Sequence, residues 1–442
     1  MSALRGESLP WGFHPARLAY TGVYGGGALA YHTVLRLRGR VPPEALAERC
    51  GKRVPAGLHA PLWIHASSMG EVRVAAGLID GLARNQPHGD FVWTSSTETG
   101  YQLARGLAGE RTAVIRAPVD LPRALRVFIA SARPQALILI ETEWWPNQFW
   151  TCFRSGVPLF VANGRVSERA ARRYGWVRRY IRPLLRGVER FYMRSIADAE
   201  RLLSLGVDPA RVEIPGSLKN VAAEGGPAAR EAALPGPPVI VAGCTRPGEE
   251  EIVLEAFRQA REKVSDLRLW LAPRHPERFA EVAGLLEQSG VSWAAYSAVP
   301  PEELAGAVCA PVVLVDAMGV LAGLYARARV AFVGGSLRPF GGHNPVEPVL
   351  AGAPVLFGPY TEEQAEAASA LLRDGLAERV QDANSLALAI VRSCESTASP
   401  VEWNEKRRKF FARFAATADH VASDILARLE DRKSRFDAPK VC

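Results

Sequence analysis

Residues 136–147 read Ala-Leu-Ile-Leu-Ile-Glu-Thr-Glu-Trp-Trp-Pro-Asn, and this stretch decides the fold class. Its first five residues, Ala136–Ile140, form a short apolar run without the polar alternation of a half-exposed strand. Such a run is typical of a strand covered on both faces, as in a parallel sheet flanked by helices. The polar residues after it therefore lie where a strand ends and a helix begins, which is where α/β proteins carry their functional groups.

The same alternation of apolar runs and helical patterns extends on both sides of this stretch. In the first half we predict further strands at Leu62–Ala66, Phe91–Thr94, Ala113–Arg116, Pro158–Ala162 and Arg190–Met193, and helices at Val72–Arg84, Tyr101–Leu107, Pro122–Ala132 and Asn147–Ser155. In the second half we predict strands at Val239–Gly243, Leu267–Ala272, Val312–Asp316, Val330–Gly334 and Pro354–Phe357, again separated by helices. The pattern predicts an α/β protein with two Rossmann-like domains.

The chain has 442 residues, more than one hydrophobic core usually organises, which also favours two domains. Residues 221–238 are rich in Gly, Pro and Ala and are the best candidate for a linker. We assign residues 1–40 to an N-terminal segment, 41–220 to the first domain and 239–442 to the second. Whether the last helix of the chain returns to the first domain stays open. Two such domains joined by a hinge would face each other across a ligand cleft.

The N-terminal segment has a composition of its own. Residues 18–35 carry no formal charge and are followed by Arg36, Arg38 and Arg40. The run is slightly shorter than the roughly 20 residues of a spanning helix, and Gly25–Gly27 weaken it as a helix. We predict that the segment associates with a membrane and leaves the rest of the chain on the cytoplasmic side. The alternative is an ordinary soluble helix.

Charge and motifs narrow the class of protein further. The net charge of +8 and the isoelectric point near 9.3 favour acidic partners such as anionic lipid, nucleic acid or phosphorylated substrates. The six cysteines are widely spaced and form no C-x-x-C pair, which indicates a reducing compartment. The motifs of phosphate-loop ATPases, nicotinamide enzymes, serine hydrolases and zinc proteases are absent from the sequence. Without a D-x-D motif, metal-independent chemistry is the simpler expectation.

Polar residues gather at three strand ends in the first half. His65–Glu71 follows a strand and opens a helix, so Glu71 either accepts a proton from a hydroxyl or only complements the helix dipole. The hydroxyl-rich turn Thr94–Gly100 either binds an anion or caps its helix. Glu141 and Glu143 stand beside two tryptophans, and because buried charge is costly without partners we expect a site there.

Glycine-rich turns mark the strand ends of the second half. Gly243–Glu249 is one such turn, and Arg274 after the next strand presents a guanidinium that can hold phosphate or carboxylate. Further along, Gly334–Ser336 and Gly341–Glu347 combine glycines with Pro345, which we predict as the first residue of a helix. Glycines let a backbone approach a ligand closely, and amides at a helix start attract phosphate. The alternative is a tight turn without a ligand.

Seven segments stand in this order along the chain: HASSMGE, ETEWWPN, NGRVSER, GSLKN, APRHPER, DAMG and FVGGSLRPFGGHNPVEP. Together they resemble the 3-deoxy-D-manno-octulosonic acid (Kdo) transferases of lipopolysaccharide synthesis, from about Leu62 to Glu366. The resemblance implies a GT-B fold and inverting transfer of Kdo from CMP-Kdo to the 6′-hydroxyl of a lipid A precursor. We expect the protein to act at the anionic cytoplasmic face of the inner membrane, with no cofactor and no metal ion.

The resemblance implies roles for individual residues as well. By motif position, Glu71 is similar to the family's general base, and Glu141 and Lys219 are similar to the residues that stabilise the transition state. Val320 stands where the family usually has a glutamate. Any contact that this glutamate makes is therefore absent here or is made by another residue. The implied CMP site consists of Pro273, Arg274, Met318, Gly319, Val320, Asn344, Pro345, Val346 and Glu347.

A basic stretch from Arg165 to Arg190 carries nine arginines interleaved with Tyr174, Trp176 and Tyr180. It suits an interface with lipid phosphates, and the alternative is a solvated basic helix. Two other functions stay open at this point. One is a nucleotide-sugar 2-epimerase, which also has two Rossmann-like domains. The other is a non-catalytic module that binds nucleic acid, although no nucleic-acid motif accompanies the arginines and we expect no such partner.

Overall fold

The computed structural model describes residues 15–37, 42–55, 57–142, 144–218, 236–299, 310–396 and 400–437. The chain divides into two compact units, which are Met1–Ala222 with Arg413–Cys442 (unit 1) and Ala223–Ala412 (unit 2). All but the last three residues of the predicted linker at 221–238 lie outside the described residues.

Unit 1 is built on a seven-stranded parallel sheet. Its strands are β1 (Leu62–His65), β2 (Phe91–Ser95), β3 (Thr112–Arg116), β4 (Ala136–Ile140), β5 (Leu159–Gly164), β6 (Val188–Met193) and β7 (Val212–Glu213). They are arranged in the order β3-β2-β1-β4-β5-β6-β7, and β1 pairs with both β2 and β4. The chain thus changes direction across the sheet between β1 and β4, where open α/β sheets bind ligands at the carboxyl ends of the strands.

Ten helices of unit 1 and the last helix surround this sheet in the described part of the chain. They are α1 (Pro15–Leu37), α2 (Pro43–Arg49), α3 (Met69–Asn85), α4 (Glu98–Leu107), α5 (Pro122–Ala132), α6 (Pro146–Arg154), α7 (Glu168–Trp176), α8 (Arg178–Leu185), α9 (Ile196–Ser204) and the 3₁₀ turn Pro209–Arg211. The last helix of the chain runs over Pro400–Asp437, and its residues from Arg413 onward belong to unit 1.

Both faces of the unit 1 sheet are covered by apolar side chains. In β4, Ile138 packs into one buried cluster, whereas Leu137 and Leu139 pack into the cluster on the opposite face. The first cluster also contains Val421 and Ile425 from the last helix. Because each fully buried aliphatic side chain contributes about 1.5–3 kcal/mol, this double burial fixes the strand in the sheet centre. The prediction from the unbroken apolar run is confirmed.

Unit 2 repeats the architecture with a second seven-stranded parallel sheet. Its strands are β8 (Val239–Thr245), β9 (Arg268–Pro273), β10 (Trp293–Ala295), β11 (Val312–Leu314), β12 (Val330–Val333), β13 (Val355–Phe357) and β14 (Ala377–Arg379). Their order is β10-β11-β9-β8-β12-β13-β14, so the direction changes between β8 and β12. Its helices are α10 (Glu250–Arg261), α11 (Phe279–Gln288), α12 (Leu321–Tyr325), α13 (Val346–Ala351), α14 (Ala365–Arg373) and α15 (Ala383–Glu395), and the last helix of the chain is α16.

Helix α1 packs against the rest of unit 1 through polar and aromatic side chains. The Tyr20 hydroxyl donates to an oxygen of Asp120 at 2.9 Å, and the Arg17 guanidinium lies 3.8 Å from the centre of the Trp150 ring. Leu18 and Val23 of the same helix are exposed. Within the described residues, no helix has the length and apolar character needed to cross a membrane. Arg38 and Arg40 of the predicted basic flank lie outside the described residues.

Candidate functional site

Glu71 lies in the first turn of α3, directly after the end of β1. Its Oε2 accepts the Ser67 backbone N–H at 2.9 Å, and its Oε1 accepts the Ser68 hydroxyl at 2.9 Å. Ser68 caps α3, because its Oγ accepts the Glu71 backbone N–H at 3.3 Å. Glu71 as a whole residue is 9% exposed. Both of its oxygens therefore have the partners that a buried carboxylate requires.

Ser67 connects Glu71 to the end of β2. Its carbonyl accepts the Thr97 hydroxyl at 2.6 Å, and its own hydroxyl donates to Ser96 at 3.0 Å and approaches Nε2 of His65 at 3.4 Å. Thr97 also caps α4, since its Oγ1 accepts the Gly100 N–H at 3.1 Å. The hydroxyl-rich turn thus caps α4 and holds the segment that carries Glu71 by hydrogen bonds. Of the two roles considered for this turn, anion binding and helix capping, these contacts correspond to capping.

Glu141, the residue after β4, and Asn163, the last but one residue of the neighbouring strand β5, are both in the left-handed region, with φ of 59° and 55°. The Asn163 side chain is 1% exposed, and its Nδ2 donates to Oε1 of Glu141 at 3.4 Å. Its Oδ1 accepts the Leu218 N–H at 2.9 Å. Non-glycine residues held in this conformation cost free energy and concentrate at functional sites. Lys219 and Glu143 lie outside the described residues.

Asn163 is the first residue of the segment NGRVSER, but no role for it was predicted from the sequence. The available signal was an asparagine followed by glycine at a strand end, because asparagine tolerates the left-handed conformation better than most side chains. Its two hydrogen-bond partners are distant in sequence and could not be read from a local pattern.

The two tryptophans after Glu141 hold other elements of unit 1 against this strand end. Trp144 stacks on Tyr174 of α7 with ring centroids 4.7 Å apart. Trp145 meets Tyr24 of α1 edge to face at 5.7 Å. The basic stretch and the N-terminal helix are therefore both anchored beside Glu141 by aromatic contacts, which favour offset or edge-on rings.

Asp120 occupies the N-terminus of α6. Its carboxylate accepts the backbone N–H groups of Asn147 at 3.1 Å and Gln148 at 2.7 Å, as well as the Tyr20 hydroxyl. Burial raises the pKa of Asp120 to about 6, although these hydrogen bonds act in the opposite direction. The end of α6 is thus already satisfied by a side chain of the protein.

A cavity of about 420 Å³ opens at the carboxyl ends of β1, β2 and β3 in unit 1. Its wall includes Tyr24 of α1, Arg49 of α2 and Trp145, with His65 and Ser96 from the strand ends. His65 and Ser96 both contact Ser67, the residue that holds Glu71. The cavity is therefore connected to Glu71 through a single residue.

In unit 2, Glu249 organises two loops at the point where the strand direction changes. This buried carboxylate accepts the backbone N–H of Arg246 at 2.9 Å, after β8. It also accepts the N–H groups of Gly335, Ser336 and Leu337, after β12, at 2.6, 2.9 and 2.8 Å. The amides of Gly335, Ser336 and Leu337 are thus bonded to the protein's own carboxylate and are not available to a phosphate.

Arg274 follows β9, and its charge and that of Glu347 both act on Cys244 at the end of β8. Burial raises the pKa of the Cys244 thiol to about 11, with the charge of Glu347 adding to this shift and that of Arg274 opposing it. Cys244 at the end of β8 has φ of 57°. Arg274 and Glu347 therefore both approach the same strand end, whereas Pro273 is buried within β9.

The remaining predicted donor residues lie in two turns. Met318 and Gly319 are exposed, and Val320 precedes α12 and packs on a buried apolar cluster, which gives its side chain a place in the core. Tyr325 of α12 lies against Gly243 in β8. In the second turn, Oδ1 of Asn344 accepts the Val346 N–H at 3.1 Å. Pro345 precedes α13, which begins at Val346 and not, as predicted, at the proline.

The basic stretch forms α7 and α8, and eight of its nine arginines are exposed. Trp176 at the end of α7 is 93% exposed. Arg190 differs, because it lies in β6 and pairs with Glu213 at 2.7 Å. The inclusion of Arg190 in a lipid-facing surface is therefore wrong.

Comparison with known proteins decides the family. Residues 44–222 match the family described as 3-Deoxy-D-manno-octulosonic-acid transferase (kdotransferase). The 3-deoxy-D-manno-octulosonic acid transferase of Bordetella pertussis is 36% identical over 350 residues, covering 76% of this chain and 80% of the relative. That of Haemophilus influenzae is 32% identical over 373 residues, covering 82% and 85%. The chain belongs to the Kdo transferase family.

The fold of this Kdo transferase family member is shared with other sugar-nucleotide proteins. A putative UDP-N-acetylglucosamine 2-epimerase from Listeria monocytogenes superimposes with a TM-score of 0.56 at 14% identity, covering 86% of this chain and 98% of the other. This likeness shows the fold alone and confirms two parallel-sheet α/β units similar to GT-B glycosyltransferases. The family assignment favours a transferase over the epimerase and the nucleic-acid module.

Proposed function

We propose that this Kdo transferase family member moves Kdo from CMP-Kdo to the 6′-hydroxyl of a lipid A precursor, with inversion at the anomeric carbon. In this reaction the hydroxyl oxygen attacks the anomeric carbon on the face opposite the phosphate. The bond between that carbon and the phosphate oxygen breaks, and its electron pair leaves with CMP. Glu71 takes the proton of the attacking hydroxyl as general base. No cofactor and no metal ion enter this scheme.

The observation that carries the proposal is the setting of Glu71. Its carboxylate lies at the change of strand direction in unit 1, where open α/β sheets bind ligands. Ser67 and Ser68 fix both oxygens, so the group is oriented before a substrate arrives. Because Glu71 is mostly buried, only a small part of its surface is open to an acceptor hydroxyl.

The cavity beside Glu71 is proposed as part of the acceptor site. Aromatic rings of Tyr24 and Trp145 offer apolar surface for an acylated sugar, and Arg49 offers a cation for one of its phosphates. Glu141, held by Asn163, and Lys219 are proposed to stabilise the transition state. These roles rest on their motif positions within the family.

The donor side is proposed to lie in unit 2. Arg274 suits the phosphate of CMP, since a guanidinium binds phosphate oxygens in two-pronged fashion. Glu347 suits ribose hydroxyls, and Pro273, Met318, Gly319, Val320, Asn344, Pro345 and Val346 complete the proposed nucleotide site. Positive groups close to the leaving phosphate lower the barrier by stabilising the charge that develops there.

A membrane setting is proposed from two surfaces of unit 1. Helix α1 exposes Leu18 and Val23, and α7 with α8 exposes arginines around Trp176. Amphipathic helices of this kind bind anionic lipid surfaces through their cations and their apolar residues. We propose the cytoplasmic face of the inner membrane as the place of action.

The test is the transfer assay with CMP-Kdo and a tetra-acylated lipid A precursor, followed by mass spectrometry of the lipid. Glu71→Gln is expected to lower turnover roughly 10²-fold to 10⁴-fold, as the loss of a general base commonly does, without loss of CMP binding. Glu200→Gln in α9 is the matched control on unit 1 and is expected to keep full turnover. A wild-type protein that yields no Kdo-bearing lipid contradicts the function, and full turnover by Glu71→Gln contradicts the base.

A further inference from the structure

Arg246 and Arg274 leave two adjacent strands of unit 2 at the same level. Thr245 at the end of β8 pairs in register with Pro273 at the end of β9, and each arginine is the next residue. The backbone N–H of Arg274 donates to the Thr245 carbonyl at 3.1 Å. The sheet therefore places Arg246 and Arg274 side by side at the ends of β8 and β9.

Three contacts hold Arg246 in place. Its backbone N–H is fixed by Glu249, its guanidinium lies 4.6 Å from the centre of the Phe340 ring, and its Nη1 contacts Nε2 of His275. Its Nε is buried and has no hydrogen-bond partner among the described residues. A buried donor without an acceptor is costly, so this atom suits a ligand that supplies a lone pair.

His343 completes the group. Its backbone N–H donates to the Gly334 carbonyl, and its ring lies against Gly335, where an added Cβ would come within 3.0 Å of Cδ2. The Nε2 atom of His343 is buried and also lacks a partner in the described part of unit 2. Burial and the charges of Arg274, Arg246 and His275 lower the pKa of His343 to about 4, so the ring is neutral at pH 7.

We propose that Arg246, together with His275 and His343, binds the carboxylate of the donor's sugar acid, while Arg274 binds the phosphate. The inference rests on the proposed function and deepens it. In a nucleotide-activated 2-keto sugar acid, the carboxylate and the phosphate ester are attached to the same anomeric carbon. Two neighbouring guanidiniums match these two neighbouring anions, and a planar guanidinium suits the two oxygens of a carboxylate.

This arrangement makes Arg246 a specificity residue. A neutral nucleotide sugar carries the phosphate but no carboxylate, so it would leave the Arg246 group without an anion. Free CMP likewise engages only the phosphate position. The two ligands CMP and CMP-Kdo therefore separate the contribution of Arg246 from that of Arg274.

The experiment measures the KM for CMP-Kdo and the inhibition constant of CMP in the transfer assay with the full chain. Arg246→Gln is expected to raise the KM for CMP-Kdo roughly 10-fold to 100-fold, as loss of a charged hydrogen-bonding pair does, and to leave the CMP constant unchanged. Arg246→Lys keeps the charge but loses the fork, and is expected to give a smaller rise. Arg373→Gln, an exposed arginine at the end of α14, is the matched control and should change neither constant.

An equal rise in both constants would assign Arg246 to the phosphate, and no rise in either would remove it from the donor site, so both outcomes overturn the inference. Retained CMP inhibition shows that unit 2 of the variant is folded. If Arg246→Gln does not fold, the same comparison of the KM for CMP-Kdo with the CMP constant is made with Arg246→Lys. A wild-type protein that does not use CMP-Kdo overturns the proposed function and this inference together, whereas unchanged constants in the variants overturn this inference alone.

Discussion

Asn163 holds Glu141 through the 3.4 Å hydrogen bond between the Asn163 amide and the Glu141 carboxylate, and both residues have the left-handed conformation at the ends of neighbouring strands. The same asparagine accepts the N–H of Leu218, the residue before Lys219 in sequence. One buried side chain thus ties the end of β4 to the segment preceding the proposed second stabilising residue. Asn163 is a positioning residue for the transition-state groups that we propose.

Asn163→Asp removes the amide donor and sets a second acceptor against Glu141. We expect kcat to fall roughly 10-fold to 100-fold, the usual cost of losing a hydrogen bond to a charged group, while the KM for CMP-Kdo stays near the wild-type value. Steady-state kinetics measures this split. Asn384→Asp, on the exposed first turn of α15, is the control for the same chemical change and should leave kcat intact. An unaltered kcat in Asn163→Asp would mean that Glu141 is positioned by other contacts.

Glu249→Gln is expected to destabilise unit 2 and to weaken CMP binding. The carboxylate accepts four backbone N–H groups, and an amide replaces one of its oxygens by an NH₂ that faces donors. Each buried donor left without an acceptor costs about 1–3 kcal/mol, so we expect a loss of about 2–5 kcal/mol in the free energy of unfolding. Urea denaturation and CMP titration measure both effects. Glu251→Gln, the exposed neighbour in α10, is the control, and equal stability of the two variants would contradict the role of Glu249.

The exposed surface of α7 and α8 is expected to bind anionic vesicles. Arg172 and Arg179 are exposed near Trp176, and each arginine at an anionic surface contributes about 1 kcal/mol. Replacing both by glutamine should therefore weaken binding to phosphatidylglycerol-containing vesicles by about 2 kcal/mol without changing thermal stability. Sedimentation of vesicles measures the partition. Arg258→Gln with Arg261→Gln on α10 is the matched control, and equal binding by both double variants would place the lipid contact elsewhere.

Asp120 is expected to make stability depend on pH between about 4 and 6. Its pKa is raised in the folded chain from 3.8 to about 6, so the folded state binds more protons than the unfolded state in this window. Stability therefore falls as the pH rises from about 4 to about 6, by about 3 kcal/mol for a shift of roughly two pKa units. Urea denaturation of wild type and Asp120→Asn across pH 4–7.5 measures the difference. If that difference is flat with pH, Asp120 does not titrate in this range.

The main strands could be predicted from the sequence because unbroken apolar runs have few alternatives in a parallel sheet. The bounds of β4 and α5 agree with the prediction residue for residue, since Ala136–Ile140 is wholly apolar and Pro122 starts its helix. The short edge strands β7, β10 and β14 and the helices α9 and α15 were not predicted. Edge strands of two or three residues are too short to show a period.

Site residues could be predicted only where their place in a local sequence motif marks them as candidates. Glu71, Arg274 and Glu347 could be named as candidates because they stand at strand ends or helix starts. Glu249 stands in the same kind of turn, but its partners Gly335–Leu337 lie more than 80 residues away. Contacts of this range depend on the order of the strands in the sheet, which local patterns do not encode.

The carboxylate of Glu249 has a consequence for how unit 2 meets its ligand. Because its partners are backbone amides of the protein, the glycine loop after β12 is held in its shape by the protein itself. Binding of a ligand to such a preorganised loop costs little conformational entropy, because the loop is already ordered. Rigid transition-state mimics designed against this loop conformation should therefore bind without changing it.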